Sequence, residues 1–207
     1  MDPYGALILA GGQARRLGGV HKPGLLIGGV SLLDRVLAAV EDAAPRVVVG
    51  PPQPVPADVL VVRENPPGGG PVAALSAGIE ALADATPRPV AWLALLAADL
   101  PFLTRAVVSS LREAALVADG AVLVDDSGRD QHLAGVYRAS ALAAAVAEEG
   151  TPHGVPLRRV VARLSLERVR VSPAGVPPWL DCDDAEDIRV AETLAWQASA
   201  ESKEADG

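Results

Sequence analysis

Three stretches of this chain have the residue types and spacing that chemistry on an anionic substrate needs. The first is Leu9-Ala10-Gly11-Gly12-Gln13-Ala14-Arg15-Arg16-Leu17-Gly18-Gly19-Val20-His21-Lys22. Paired glycines directly after an apolar run let a backbone approach a ligand and turn its N–H groups toward anionic oxygens. Arg15, Arg16 and Lys22 concentrate positive charge in the same loop. Taken singly these are ordinary turn or solvated residues; together they point to a triphosphate. The loop fits neither the dinucleotide fingerprint G-x-G-x-x-G nor the phosphate loop G-x-x-x-x-G-K-[ST], so both of those readings lose support. The second stretch is Ala98-Asp99-Leu100-Pro101-Phe102-Leu103, where a carboxylate closes an apolar run. The third is Asp181-Cys182-Asp183-Asp184-Ala185-Glu186-Asp187. If this stretch is extended, Asp181 and Asp183 project to the same side. Asp184, Glu186 and Asp187 suit the start of a helix, where the macrodipole favours negative charge.

The net charge of −8 gives the first loop its weight. Nucleic-acid surfaces are built from clustered Lys and Arg, so an acidic chain is not expected to bind nucleic acid. An acidic chain that nevertheless binds a polyanion must gather its cations in one place or recruit a metal. Cys182 is the lone cysteine, which excludes an internal disulfide and a multi-cysteine zinc site and fits a reducing cytoplasm. No stretch reaches the roughly 18 uninterrupted apolar residues of a membrane span, so no membrane partner is expected.

These stretches must be held by buried elements. The composition is 50% apolar but 3% aromatic, so the core is one of Ala, Val and Leu. Tyr4 to Ala10 reads as a strand buried on both faces. Ser31 with Asp34 resembles a capping box opening a helix from about Ser31 to Ala43. Short β-branched runs at Arg46 to Gly50 and Asp58 to Arg63 flank a proline-rich loop. Pro71 to about Ala85 is a helix with proline in its first turn, and Pro89 to Ala98 is a strand that ends at Asp99. Thr104 caps the next helix. Strands follow at Ala121 to Val124 and Leu133 to Tyr137, with helices near Ser140 to Glu149, Val155 to Leu164 and Asp184 to Gln197. The alternation predicts a three-layer α/β fold: a mostly parallel, Rossmann-like sheet with helices on both faces. The strand at Leu133 follows another strand too closely for a crossover, so it is expected to be antiparallel. Residues 1–197 are expected to form one domain, and 198–207 a disordered tail. The three tryptophans, Trp92, Trp179 and Trp196, read as packing residues.

The first loop resembles the signature loop of the molybdenum cofactor guanylyltransferases and their nucleotidyltransferase relatives. In that family the loop wraps the base and triphosphate. By resemblance, Leu9, Ala10, Gly11 and Gly12 contact the nucleotide, and Arg16 and Lys22 lie on its phosphates. His21 stands where the family commonly has Asp. Arg63-Glu64-Asn65-Pro66-Pro67-Gly68-Gly69-Gly70-Pro71 is similar to the family's acidic residue followed by a Gly-Pro that opens a helix. This places Gly70 and either Glu64 or Asn65 at the nucleotide.

Asp99 before Pro-Phe matches the family's magnesium ligand, and Asp183, or less favourably Asp181, supplies a second metal position. Arg16, Lys22 and Asp99 are then the catalytic residues. His132 occupies the place of an acceptor-side His-Pro-like strand, with Leu133 for the proline, and is a candidate acceptor contact. The resemblance implies transfer of GMP from GTP to the phosphate of molybdenum-bearing molybdopterin, with Mg2+ as cofactor and pyrophosphate released. It also implies contacts with molybdoenzymes or other cofactor-biosynthesis proteins. A cytidylyltransferase on the same cofactor, another small-molecule phosphate nucleotidyltransferase and a non-catalytic nucleotide- or cofactor-binding protein remain open alternatives.

Overall fold

The computed structural model describes residues 3–11, 22–171 and 176–205. The chain begins with β1 (Tyr4–Leu9), whose six residues are all buried, as an apolar run in the middle of a parallel sheet must be. A 3-10 turn at Lys22–Gly24 leads to a short hairpin, β2 (Leu26–Ile27) and β3 (Val30–Ser31). Helix α1 (Leu32–Ala39) follows, and the Ser31 hydroxyl accepts the Asp34 N–H at 3.0 Å as its N-cap. Then come β4 (Arg46–Val49), β5 (Val59–Val62), α2 (Pro71–Ala85), β6 (Trp92–Ala97) and α3 (Arg105–Ala114), the last capped by Thr104. The chain continues through β7 (Gly120–Val124), β8 (Asp130–Arg138), α4 (Ala139–Ala147), α5 (Leu157–Val161), β9 (Leu166–Val169) and α6 (Ala185–Ala205).

Among the described residues seven strands form one sheet in the order β5-β4-β1-β6-β8-β7-β9. The pairs β1–β4, β1–β6, β4–β5 and β7–β9 are parallel, while β8 runs antiparallel to both β6 and β7. The three-layer α/β fold with one antiparallel strand, expected from the alternation, is the fold found. Residues of α1 and α3 pack on one face around Ile8, Val48 and Leu96. Residues of α2, α4 and α5 pack on the other around Leu7, Val49 and Leu95.

Gly78 explains how α2 lies so close to the sheet. A Cβ there would fall 2.8 Å from Leu7 Cδ2 and 3.0 Å from Val49 Cγ2, well inside van der Waals contact. A small third cluster joins Ile27, Leu32, Cys182, Ala191 and Ala195, with Phe102 packed against it. This cluster ties the β2–β3 hairpin, the loop after β6 and the start of α6 to one another.

Several expectations need correcting. The β2–β3 hairpin and β9 are not expected from periodicity, because strands of two residues carry none and the four residues of β9 carry little. In β9, Glu167 and Arg168 face outward, as the charges of an edge strand do. Helix α6 continues to Ala205, so part of the stretch expected to be a disordered tail is helical. Trp196 is 73% exposed rather than packed, whereas Trp92 is buried and Trp179 packs partly against the α1/α3 face. Among the described residues no helix is long and apolar enough to cross a membrane.

Candidate active site

In a doubly wound sheet, ligands bind beyond the carboxyl ends of the strands, where the winding direction reverses. Here the chain runs from β1 outward to β4 and β5, then returns through α2 to β6 on the other side of β1. The reversal therefore lies at β1/β6. A cleft of about 480 Å3 opens there, walled by Leu9 and Gly11 after β1, Gly50 after β4, Arg63 and Glu64 after β5, and Asp99 after β6. The backbone holds its floor together: Ala10 N–H donates to Val49 O at 2.8 Å, Gly50 N–H to Val62 O at 2.8 Å, and Ala98 N–H to Leu9 O at 3.1 Å.

Gly70 and Pro71 bring the N-terminus of α2 to the same cleft. Gly70 is the N-cap at φ 88°, a left-handed geometry that favours glycine, and Pro71 follows at the first helical position. No side chain caps the helix, so its first N–H groups and the positive end of its dipole stay available to a ligand. Glu64 reaches back to close the preceding turn, its Oε1 accepting the Gly68 N–H at 2.9 Å. Of the two candidates Glu64 and Asn65, Glu64 lines the cleft and Asn65 does not.

Lys22 stands where the second and third sequence stretches meet. Its Nζ donates to Asp99 Oδ2, and to Asp183 Oδ1 at 2.6 Å. Burial works to lower the lysine's pKa, but attraction to Asp99 and the hydrogen bonds to both carboxylates outweigh it, so the ammonium is held charged above the usual lysine range. Asp183 is presented by its anchored neighbour. Cys182 is fully buried in the third cluster, and backbone alternation turns the flanking Asp181 and Asp183 away from it. Asp184 and Asp187 do a separate job: the Asp187 carboxylate accepts the N–H groups of Asp183 and Asp184, and the Asp184 carboxylate those of Glu186 and Asp187. This reciprocal cap starts α6 and leaves Asp181 and Asp183 for other roles. Partial desolvation, then the nearby charges of Asp183 and Asp99, raise the Asp181 carboxyl above its ordinary range.

Two carboxylates converging on one cation are a donor set that suits magnesium, which takes hard oxygens from one or two Asp or Glu plus substrate phosphates. Among the described residues no third His, Cys, Asp or Glu completes a protein-only metal set, which would leave the remaining positions to phosphate and water.

His132 lies outside the lining of the cleft, whose wall at this point is its neighbour Leu133. The pairing of β7 with β8 jumps from Val122–Gly135 to Leu123–Gln131, so residues 132–134 bulge. The bulge frees the His132 carbonyl, which accepts the buried Tyr137 hydroxyl at 2.7 Å. Burial, against an opposing pull from Asp130, lowers the pKa of the His132 imidazole, and its Nδ1 is buried with no hydrogen-bond partner. Gly12, Arg15, Arg16 and His21 lie outside the described residues. Arg63 is a cleft residue to which sequence reasoning gave no role; its position directly after a parallel strand was the available signal.

Comparison with known proteins identifies the family. A family model described as the MobA-like NTP transferase domain matches residues 6–169. A "Molybdenum cofactor guanylyltransferase" of Nitrobacter hamburgensis is 30% identical over 94% of this chain and 96% of its own length. A "Probable molybdenum cofactor guanylyltransferase" of Mycobacterium bovis is 36% identical over 66% of this chain and 68% of its own. Among solved structures, molybdopterin-guanine dinucleotide biosynthesis protein A from Archaeoglobus fulgidus superposes with a TM-score of 0.69 at 19% identity, covering 93% of this chain and 99% of that one. With the family model spanning most of its length and a relative 30% identical over nearly all of it, this chain belongs to the family of MobA-like NTP transferase domains.

Proposed function

We propose that this protein transfers GMP from GTP to the phosphate of a molybdenum-bearing molybdopterin, with Mg2+ as cofactor and pyrophosphate as the second product. The convergence of Asp99 and Asp183 on a single cationic position at the edge of the β1/β6 cleft carries this reading. The names of the relatives support guanine as the base and the molybdenum cofactor as the acceptor.

The reaction displaces pyrophosphate from the α-phosphorus of the triphosphate by an acceptor phosphate oxygen. It needs positioning and charge stabilisation rather than covalent help from the protein. Leu9, Ala10 and Gly11 would lie against the nucleotide, Leu9 and Gly11 lining the cleft together with Glu64, Gly70 and the first residue of α2. Lys22 and Arg16 offset phosphate charge. Asp99 and Asp183 would hold Mg2+, which when bound neutralises charge on the non-bridging and leaving oxygens.

Calorimetric titration with GTP and with CTP, each with and without Mg2+, tests the donor. The expected outcome is Mg2+-dependent binding with GTP preferred. Preference for CTP would move the protein to cytidylyl transfer, and no metal-dependent nucleotide binding would end the transferase reading. With acceptor present, Asp99→Ala is expected to abolish pyrophosphate release. Unchanged release would remove Asp99 from the metal.

A further inference from the structure

Lys22 sits between the two carboxylates proposed to hold the metal, with Nζ bonded to both Asp99 and Asp183. A dication and an ammonium cannot share that position, since like charges at contact distance repel strongly where water is partly excluded. The Lys22 and Asp99 side chains are only 17% and 20% exposed, so this is not a loose surface pair. The residue type matters as well. Of the chain's 18 Lys and Arg residues, Lys22 and Lys203 are the only lysines. An ammonium on a flexible stem is a point charge that can leave one anion for another, whereas a guanidinium would grip a carboxylate through a planar two-pronged contact.

From this we infer that Lys22 and the divalent cation exclude one another at Asp99 and Asp183. Without nucleotide, the lysine closes the carboxylate pair and keeps affinity for free metal low. The triphosphate draws the ammonium onto its own oxygens, and the metal joins the site only as that exchange occurs. Charge balances on both sides of the exchange. The dication replaces the ammonium on the two carboxylates, and the ammonium then offsets phosphate charge. Lys22 is thereby a residue that sets binding order, nucleotide with or before metal, in addition to its contact with phosphate. The inference rests on the metal reading proposed above.

The test is a titration of the full-length protein with Mn2+ in the absence of nucleotide, following free Mn2+ by electron paramagnetic resonance. Lys22→Met removes the charge while keeping much of the stem, and Lys22→Gln is a second uncharged variant should the first fold poorly by circular dichroism. Both are expected to bind Mn2+ on the order of tenfold or more tightly than the unaltered protein, the scale of a lost charge-assisted contact. Adding Asp99→Asn to either variant is expected to abolish the gain. Equal Mn2+ affinity with and without the Lys22 charge, while Mn2+ still binds in the presence of GTP, would overturn this inference and leave the metal site standing. Absence of Mn2+ binding at Asp99 even with GTP would remove the metal site itself, and this inference with it.

Discussion

Replacing Gly78 by alanine sets two effects of known size against each other. Gly78 lies inside α2, where alanine is favoured over glycine by about 1 kcal/mol, so at an exposed position the change would stabilise the protein. Here the new Cβ would meet Leu7 Cδ2 at 2.8 Å, Leu7 Cδ1 at 3.0 Å and Val49 Cγ2 at 3.0 Å. Leu7 and Val49 are both fully buried between sheet and helix, so neither can swing into solvent. Overpacking of this kind costs about 1–3 kcal/mol, and the lack of an exit places it toward the upper end. The net expectation is a loss of about 1–2 kcal/mol, or roughly 2–8 °C in Tm for a chain of this size. Thermal unfolding followed by circular dichroism measures it. In a Leu7→Ala background the two Leu7 contacts go and only the Val49 contact at 3.0 Å remains, so Gly78→Ala should cost much less there, giving a coupling energy on the order of 1 kcal/mol. Helix α2 also carries Gly70 and Pro71 to the cleft, so Gly78→Ala should weaken GTP binding as the helix is pushed outward. A single variant more stable than the unaltered protein would refute the close-packing argument.

Three further outcomes follow from the site. Asp183→Asn is expected to lower kcat about a hundredfold, the scale of lost metal support, whereas Asp181→Asn changes it by less than about threefold. Steady-state pyrophosphate release compares them, and equal effects would undo the preference for Asp183. The Cys182 thiol is pushed up to about 12, first by burial and then by Asp99, so it keeps its proton at working pH. Native protein should therefore resist thiol reagents at pH 8 or so that label it promptly once unfolded, and fast native labelling would contradict this burial. The pKa of the His132 imidazole is held below its unfolded value by burial. The unfolded state then binds more protons, so stability should fall as pH drops through the unfolded value of about 6.5, and His132→Asn should flatten that slope. Urea midpoints across that range decide it, and an unchanged slope in the variant would remove His132 as its source.

What could be read locally was read well. The boundaries of α2, Pro71 to Ala85, agree with the sequence reading because proline at a first turn and an unbroken Ala-rich run are local signals. Asp99 lies just past the end of β6, and β8 is antiparallel because a short link cannot cross over. Other features exist only between distant segments. Lys22 meets Asp99 across 77 residues of chain and Asp183 across 161, and no spacing rule in the sequence reaches that far. Cys182 is anchored beneath α6 and the β2–β3 hairpin, which turns both flanking aspartates outward, and only the fold brings Asp183 onto the lysine. Leu133 rather than His132 lines the cleft where β8 bulges, and a register shift is a property of paired strands. The sequence determined by itself the layered α/β framework, the clustering of glycines and cations in the first loop and the strand-end carboxylate, because each is a local pattern of burial, charge or turn chemistry. Tertiary structure decided which carboxylates converge, which residues wall the cleft, and that Lys22 lies between Asp99 and Asp183, because those depend on through-space packing.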